Sequence, residues 1–465
     1  MKTTRIDELA GAIHFMGIGG AGMCGLAELL AGRGRRVTGC DAHEGAAVRR
    51  LRALGVEVSI GHDPAHLAGI DAVIVTAAVP AAHPELEAAR AAGVPVWKRA
   101  RALGAVVGEG RVVAIAGTHG KTSTSALVVH LLDEAGLDPT GIVGGSVSGW
   151  DGNLHPGGDD LYVVEADEFD RSFLHLTPDV AVVTNLEADH LEIYGSLEGV
   201  REGFRAFLGQ LREGGRAIVC ADDSGAAGLV SLPGSTAYTY GTTAGAQLRA
   251  AEIEFGESGT HFRIFEEGIA RGGGELDTPG RHTLLNALAA AAVARVFGVE
   301  WDVIRRGWRT HRGVHRRFER LGAVGEIEVV DDYAHHPTEI AVTLRAARDA
   351  WPDRRIVAVF QPHLYTRTRD FAGEFGAALA QADVAWVTSI FPAREPPLEG
   401  VDHTLVVDAI RAAGGVAHEH DDLDTLARAV AQAVLPGDVV IGMGAGSIER
   451  FAPALVTHLR EGIHA

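Results

Sequence analysis

An apolar run that passes through a glycine turn straight into a helix, RVVAIAGTHGKTST at residues 111–124, constrains the fold more than any other segment. Strands that alternate with helices are rejoined by crossovers, which makes neighbouring strands parallel and buries them on both faces. The same order opens the chain, where AIHFMG leads into GIGGAGM and the helical LAELLAGRG, followed by the strands RRVTGCD, DAVIVTAA and VPVW. It returns after the basic, poorly apolar segment RTHRGVHRRFER, in EIEVVDDYAHHPTEI, RRIVAVFQPH, DVAWVTSIFPA and DVVIGMGAGS. A chain of 465 residues exceeds what one hydrophobic core serves. The expectation is therefore an α/β protein of three domains: a Rossmann-like N-terminal domain at 1–108, a central P-loop ATPase-type parallel-sheet domain at 109–312, and a Rossmann-like C-terminal domain at 313–465. No fixed-period repeat links the three units, which excludes a solenoid.

Charge narrows the partners. A formal net charge of −19 offers no clustered positive surface to release counterions from nucleic acid, so no nucleic-acid partner is expected. Anionic ligands must then be drawn by local loops and not by the overall field. Three cysteines, Cys24, Cys40 and Cys220, show no CxxC spacing, which indicates neither a disulfide framework nor a zinc site and fits a reducing compartment. The opening MKTTRIDELAG has no apolar leader core, and no later run supplies about 18 apolar residues. The expectation is a cytoplasmic protein with no membrane partner, working as a monomer or a homodimer.

Gly17, Gly19, Gly20 and Gly22 sit between a strand and a helix, with Asp41 at the end of the next strand. Glycines there let the backbone approach a diphosphate at a helix N-terminus, and the acid can hold a ribose; a plain tight turn gives the same pattern. The motif points to a diphosphate-linked nucleoside without specifying nicotinamide. In the stronger segment, Gly117, Thr118, His119, Gly120, Lys121, Thr122 and Ser123, the backbone can cradle phosphates. Lys121 can reach β/γ oxygens and the Thr122 hydroxyl can ligate Mg²⁺. Ile115 stands where a strict GxxxxGK[ST] has its first glycine.

Glu165 in DLYVVEADEFD and His190 in DVAVVTNLEADH read as strand-end residues facing the same crevice. The carboxylate suits Mg²⁺ and the imidazole a softer ion, and each also reads as a cap or a solvated group. Asn286 reads as the opening of an apolar helix, where its amide suits a purine edge or a cap. Arg316 and Arg317 lie at the last domain boundary, as charge clamps or solvated ion pairs. His335, His336, His363 and Arg367 collect on loops after two buried strands, a set suited to an amino-acid carboxylate and amine; polar surface loops have the same composition.

Taken in order, GIGGAGM, GTHGKTST, EADEFD, NLEADH, HRRFE, DDYAHHPTE and QPHLYTRTRD resemble the Mur ligases of peptidoglycan synthesis over essentially the whole chain. Within that family they are most like the members that attach L-alanine to UDP-N-acetylmuramate. The resemblance implies ATP-dependent, Mg²⁺-requiring ligation of L-alanine to the lactyl carboxylate through an acyl phosphate, giving ADP and phosphate. It implies that Gly17, Gly19, Gly20, Gly22, Asp41, His62 and Thr76 hold the UDP-sugar, and that residues 117–123 hold ATP with Asn286 at adenine, Asp332 at ribose and Arg317 at the phosphates. Thr122, Glu165 and His190 would serve the metal, Lys121 and Arg317 the transferred phosphoryl group, and Tyr333, His335, His363 and Arg367 the amino acid. The chain departs from the family at Cys24 (commonly Ser), Thr283 (commonly Asn) and Leu364 (often Arg). The rival readings are a sibling ligase that adds a preformed peptide, a non-catalytic sensor on the same scaffold, and a nicotinamide-dependent oxidoreductase, which would leave GTHGKTST, Glu165 and His190 without work.

Overall fold

The computed structural model describes residues 11–76, 79–229, 237–393 and 395–463, with the side chain of Ile463 excepted. Residues 1–10, most of the segment read for a leader, lie outside that set. Three sheets carry the architecture. The first has β1 (Ile13–Met16), β2 (Val37–Asp41), β3 (Glu57–Ile60), β4 (Ala72–Val75) and β5 (Val96–Lys98) in the order β3-β2-β1-β4-β5. All its pairings are parallel. β1 and β4 are buried at every position, as the crossover argument requires of central strands.

The second sheet has ten strands: β6 (Arg111–Ala116), β7 (Thr140–Ile142), β8 (Leu154–His155), β9 (Leu161–Glu165), β10 (Val180–Val183), β11 (Arg216–Cys220), β12 (Tyr238–Gly241), β13 (Leu248–Gly256), β14 (Gly259–Glu266) and β15 (Ile269–Leu276). Their order is β15-β14-β13-β12-β11-β10-β6-β9-β7-β8. The centre of the sheet, around β6, is parallel, and the terminal pair β7/β8 is antiparallel. β6 thus lies between β10 and β9, which brings the loops after all three strands to one edge.

The third sheet has β16 (Glu319–Val324), β17 (Ile327–Asp332), β18 (Ile356–Phe360), β19 (Val384–Thr388), β20 (Ala417–His420) and β21 (Val439–Met443), in the order β16-β17-β21-β18-β19-β20. Only β16/β17 is antiparallel. Phe318, Ile340, Leu344, Trp351 and Phe375 pack in one core cluster, and Val329, Leu426, Val430, Phe451 and Leu455 in another.

The chain is compact in two units. One comprises residues 1–251, 263–272 and 285–312; the other comprises 252–262, 273–284 and 313–465. Among the described residues no helix is long and apolar enough to cross a membrane.

Candidate active site

The phosphate loop is the turn between β6 and the helix Lys121–Glu134. Gly117 has φ +138°, and a Cβ there would overlap the Thr184 hydroxyl, so only glycine lets the strand end turn this tightly. Gly120 is the N-cap of the helix, with φ +80°. The loop is pinned from the segment that follows β10. Thr184 Oγ1 donates to the His119 carbonyl at 2.7 Å, His119 N donates to Asn185 Oδ1 at 2.8 Å, and Glu187 N donates to Thr118 Oγ1 at 2.9 Å. The His119 ring stands 3.5 Å from Glu187, while Thr122 is buried and Ser123 half-buried on the first helical turn.

Lys121 is folded back on its own loop. Its Nζ donates to the carbonyls of Gly117 at 2.6 Å and Thr118 at 3.1 Å, and pairs with the buried Glu168 at 2.8 and 2.9 Å. Burial alone would lower the ammonium pKa, but Glu168, with Asp167 and Glu165 behind it, raises it, so the lysine stays charged. Asn286 lies inside the helix Arg281–Val296 and not at its opening, which corrects the reading of it as a cap. Its Oδ1 accepts from Thr124 Oγ1 at 3.1 Å and lies 2.6 Å from where a Cβ on Gly120 would stand, so the amide braces the phosphate loop from the side.

Glu165 is the last residue of β9, and its Oε2 accepts from Gly144 N at 2.6 Å. His190 is not a strand-end residue: β10 stops at Val183, and His190 is the N-cap of the short helix Leu191–Tyr194, at φ 51°. Of the run NLEADH only Leu186 is buried, and the chain leaves the sheet early. His190 Nδ1 lies 3.4 Å from Glu192 and its ring meets Phe169 edge-on at 5.2 Å.

The glycine loop after β1 belongs to the same compact unit. Gly19 N donates to Asp41 Oδ2 at 2.8 Å, so the acid expected at a ribose also holds the turn. Gly20 caps the helix Ala21–Gly32, the Thr76 methyl lies 3.0 Å from a Cβ position on Gly17, and the Arg99 side chain lies 3.0 Å from one on Gly22. Arg99 in turn reaches Asp167 of the EADEFD segment at 3.7 Å, and Cys24 donates to Asn153 at 3.3 Å. His62 faces Cys40 and Glu85, at 3.1 and 3.3 Å.

In the second unit, Arg316 is fully engaged: its guanidinium meets Asp331 at 3.1 Å and donates to the Gly444 carbonyl at 2.7 Å, with the backbone at φ 59°. Arg317 is held less firmly, 3.8 Å from Glu339 and over the Tyr333 ring at 5.1 Å. Asp332 accepts from Phe318 N and Ala334 N at 2.7 and 2.8 Å, which spends one lone pair on each oxygen. His335 stands edge-on between Tyr333 and His363, at 5.3 and 6.0 Å. Arg367 lies 3.5 Å from His363, whose pKa burial, His335 and Arg367 push down to about 4. His336 caps the helix Pro337–Ala350 in a capping box with Glu339. Leu364 sits at φ 70°. Thr283 Oγ1 donates to the Pro279 carbonyl at 3.2 Å.

The residues that sequence reasoning passed over are Glu168, Asn185 and Arg99. Each lies in or beside a motif already noticed, but the partner it serves is distant in the chain, and no spacing rule connects them.

Three family models match in succession: "Mur ligase family, catalytic domain" over residues 12–111, "Mur ligase middle domain" over 115–294, and "Mur ligase, glutamate ligase domain" over 316–446. A UDP-N-acetylmuramate–L-alanine ligase from Acidothermus cellulolyticus is 42% identical over 452 residues, covering 97% of this chain and 95% of its own. The solved UDP-N-acetylmuramate–alanine ligase of Thermotoga maritima superposes with a TM-score of 0.83 at 28% identity, covering 97% of this chain and 99% of its own. A murein peptide ligase from Psychrobacter arcticus, at 25% identity with coverage of 97% and 99%, gives 0.70.

Proposed function

The chain belongs to the Mur ligase family, and from that premise we infer that it catalyses ATP-dependent ligation of L-alanine to the lactyl carboxylate of UDP-N-acetylmuramate, a step of peptidoglycan precursor synthesis. The observation that carries the reading is the braced phosphate loop with Lys121 at its helix start, in one compact unit with a glycine loop of the diphosphate-binding type. A nicotinamide enzyme would have no use for the first of these. The peptide-adding sibling is less favoured by the relatives reported above.

A carboxylate is a poor acyl donor, so the γ-phosphoryl group of ATP activates it as an acyl phosphate, which the alanine amine then attacks. Positioning and charge neutralisation supply most of the catalysis in such transfers. Lys121 is the fixed cation for the β/γ oxygens, exchanging Glu168 and loop carbonyls for phosphate. Arg317, held only loosely, is the second cation. Thr118, His119, Gly120 and Ser123 present backbone donors, Asn286 holds the loop and faces adenine, and Asp332 accepts from the ribose. Gly17, Gly19, Gly20 and Gly22, with Asp41, His62 and Thr76, seat the UDP-sugar. Tyr333, His335, His363 and Arg367 receive the amino acid, with His363 kept as a neutral imidazole.

The reaction class implies Mg²⁺. Glu165 has its Oε1 beyond the Gly144 bond, and Thr122 places a hydroxyl on the first turn; these hard oxygens, with substrate phosphates and water, are the donor set Mg²⁺ takes. Thr122, Glu165 and, as the weaker donor, His190 would hold the ion, which neutralises charge on the phosphate oxygens when bound. Co-substrates of this kind fit a reaction in the cytoplasm, carried out by a monomer or a homodimer.

Phosphate release with ATP, UDP-N-acetylmuramate and a panel of amino acids and short peptides tests the reading. L-alanine should give the highest kcat/KM. A preformed peptide outpacing it would reassign the chain to the sibling activity.

A further inference from the structure

The N-terminal domain holds a second group of reactive side chains that ligation leaves without work. His14 is on β1, Cys40 on β2, His66 in the single turn Pro64–Leu67, and Glu85 in the first turn of the helix Pro84–Ala91. One donor atom from each of the four lies within 4.8 Å of all the others. Glu85 Oε1 is 3.2 Å from His14 Nε2, 3.2 Å from His66 Nδ1 and 3.7 Å from Cys40 Sγ. A tetrahedral ion with nitrogen or oxygen at about 2.0 Å and one sulfur at about 2.3 Å separates its ligand atoms by about 3.3–3.5 Å, within a few tenths of an ångström of these spacings.

Glu85 is wholly buried, His14 is 1% exposed and Cys40 is buried. The buried His14 Nε2 has no hydrogen bond of acceptable geometry despite its nearness to Glu85, and it is aimed into the group. The other ring nitrogen, Nδ1, is anchored 2.9 Å from Thr38 Oγ1, the outer support that fixes ring orientation in metal sites. His62 Nδ1 lies 3.1 Å from Cys40 Sγ, within hydrogen-bond reach of the sulfur. The His66 side chain, 20% exposed, leaves a path from solvent.

We propose that His14, Cys40, His66 and Glu85 form a binding site for a divalent transition-metal ion of the zinc class. One thiolate and one carboxylate cancel two positive charges, and two neutral imidazoles complete the set, so the loaded site buries no net charge. Thiolate and imidazole select such an ion over Mg²⁺. Loading forms one metal–sulfur bond, and the Cys40 thiol proton leaves to solvent with no change of oxidation state. The Cys40 carbonyl accepts from Gly17 N at 2.9 Å and Ile18 N at 3.1 Å, so an ion here would brace the base of the glycine loop. The four ligands come from four separate elements, and no CxxC rule registers them.

The test is a Co²⁺ titration of the full, metal-stripped chain in excess Mg²⁺, which keeps hard-oxygen sites filled, followed by displacement with Zn²⁺. One equivalent should bind, with tetrahedral ligand-field bands and a thiolate-to-cobalt charge-transfer band. Cys40→Ser should abolish the charge-transfer band, and His66→Ala should weaken Zn²⁺ binding by at least about tenfold. Absence of the band in the wild-type chain, or its survival in a folded Cys40→Ser variant, would overturn the site. Far-ultraviolet circular dichroism verifies that each variant is folded. If Cys40→Ser does not fold, retention of wild-type Zn²⁺ affinity by folded His66→Ala overturns the proposal by itself.

Discussion

Lys121 spends its three ammonium protons on two loop carbonyls and Glu168, so nucleotide phosphates must replace partners it already has. Lys121→Ala removes the nearest fixed cation from the transferred group. The expected loss is about 3–4 kcal/mol in the barrier, a few hundredfold in kcat, as for other preorganised charge contacts; near-normal turnover at saturating ATP would contradict the assignment. Glu168→Gln leaves that half-buried lysine without its nearest counter-charge. Loss of one partner of a buried pair costs about 3–5 kcal/mol, to be read as a lower urea midpoint that ATP partly restores. An unchanged midpoint would make the pair dispensable. At this scale the sequence was informative about placement where an apolar run meets a turn, as for Lys121 at a helix start and Glu165 at a strand end. It was silent where a contact joins distant segments, as for Glu168, and misleading at His190 and Asn286, because polar residues after a strand do not declare where it ends and an amide inside a helix looks like a cap.

The strand–turn–helix elements were legible because apolar runs, glycines and helical periods coincide in them; the short β8 and the antiparallel β16/β17 pair were not, having too few residues or too weak an alternation. Elements also decide which glycine substitutions hurt which substrate. A Cβ on Gly19 would lie 3.0 Å from Asp41 Oδ2 and 3.2 Å from Val48, so Gly19→Val disturbs both the turn and the place for a diphosphate. It should raise KM for UDP-N-acetylmuramate and leave KM for ATP nearly unchanged; a defect confined to ATP would reverse the two assignments. Calorimetry should find no specific binding of NAD(H) or NADP(H).

The whole molecule carries half-buried neutral histidines that couple its stability to pH. Burial, aided by neighbouring positive groups, pushes His282 and His363 down to about 4 and His311 to about 3. The folded values lie below the unfolded value of about 6.5, so the unfolded chain takes up protons first as pH falls. The stabilisation is complete above about pH 6.5 and is lost as pH falls towards 4 and then 3; for the half-buried His282 it is on the order of 3 kcal/mol at neutral pH. Asp331, raised by burial to about 6, opposes this in part, because its folded carboxyl gains a proton before the unfolded one. The urea midpoint should fall between pH 7 and 5, and His282→Asn should flatten the fall; a flat wild-type profile would contradict the balance. The central claim, an acyl phosphate made on one substrate by the phosphate loop's ATP, is tested most directly by labelling the lactyl carboxylate of UDP-N-acetylmuramate with heavy oxygen and following the label by mass spectrometry. One labelled oxygen should appear in the released phosphate for each amide formed with L-alanine. Amide formation with all the label kept in the product and the unreacted carboxylate, and none in phosphate, would contradict it.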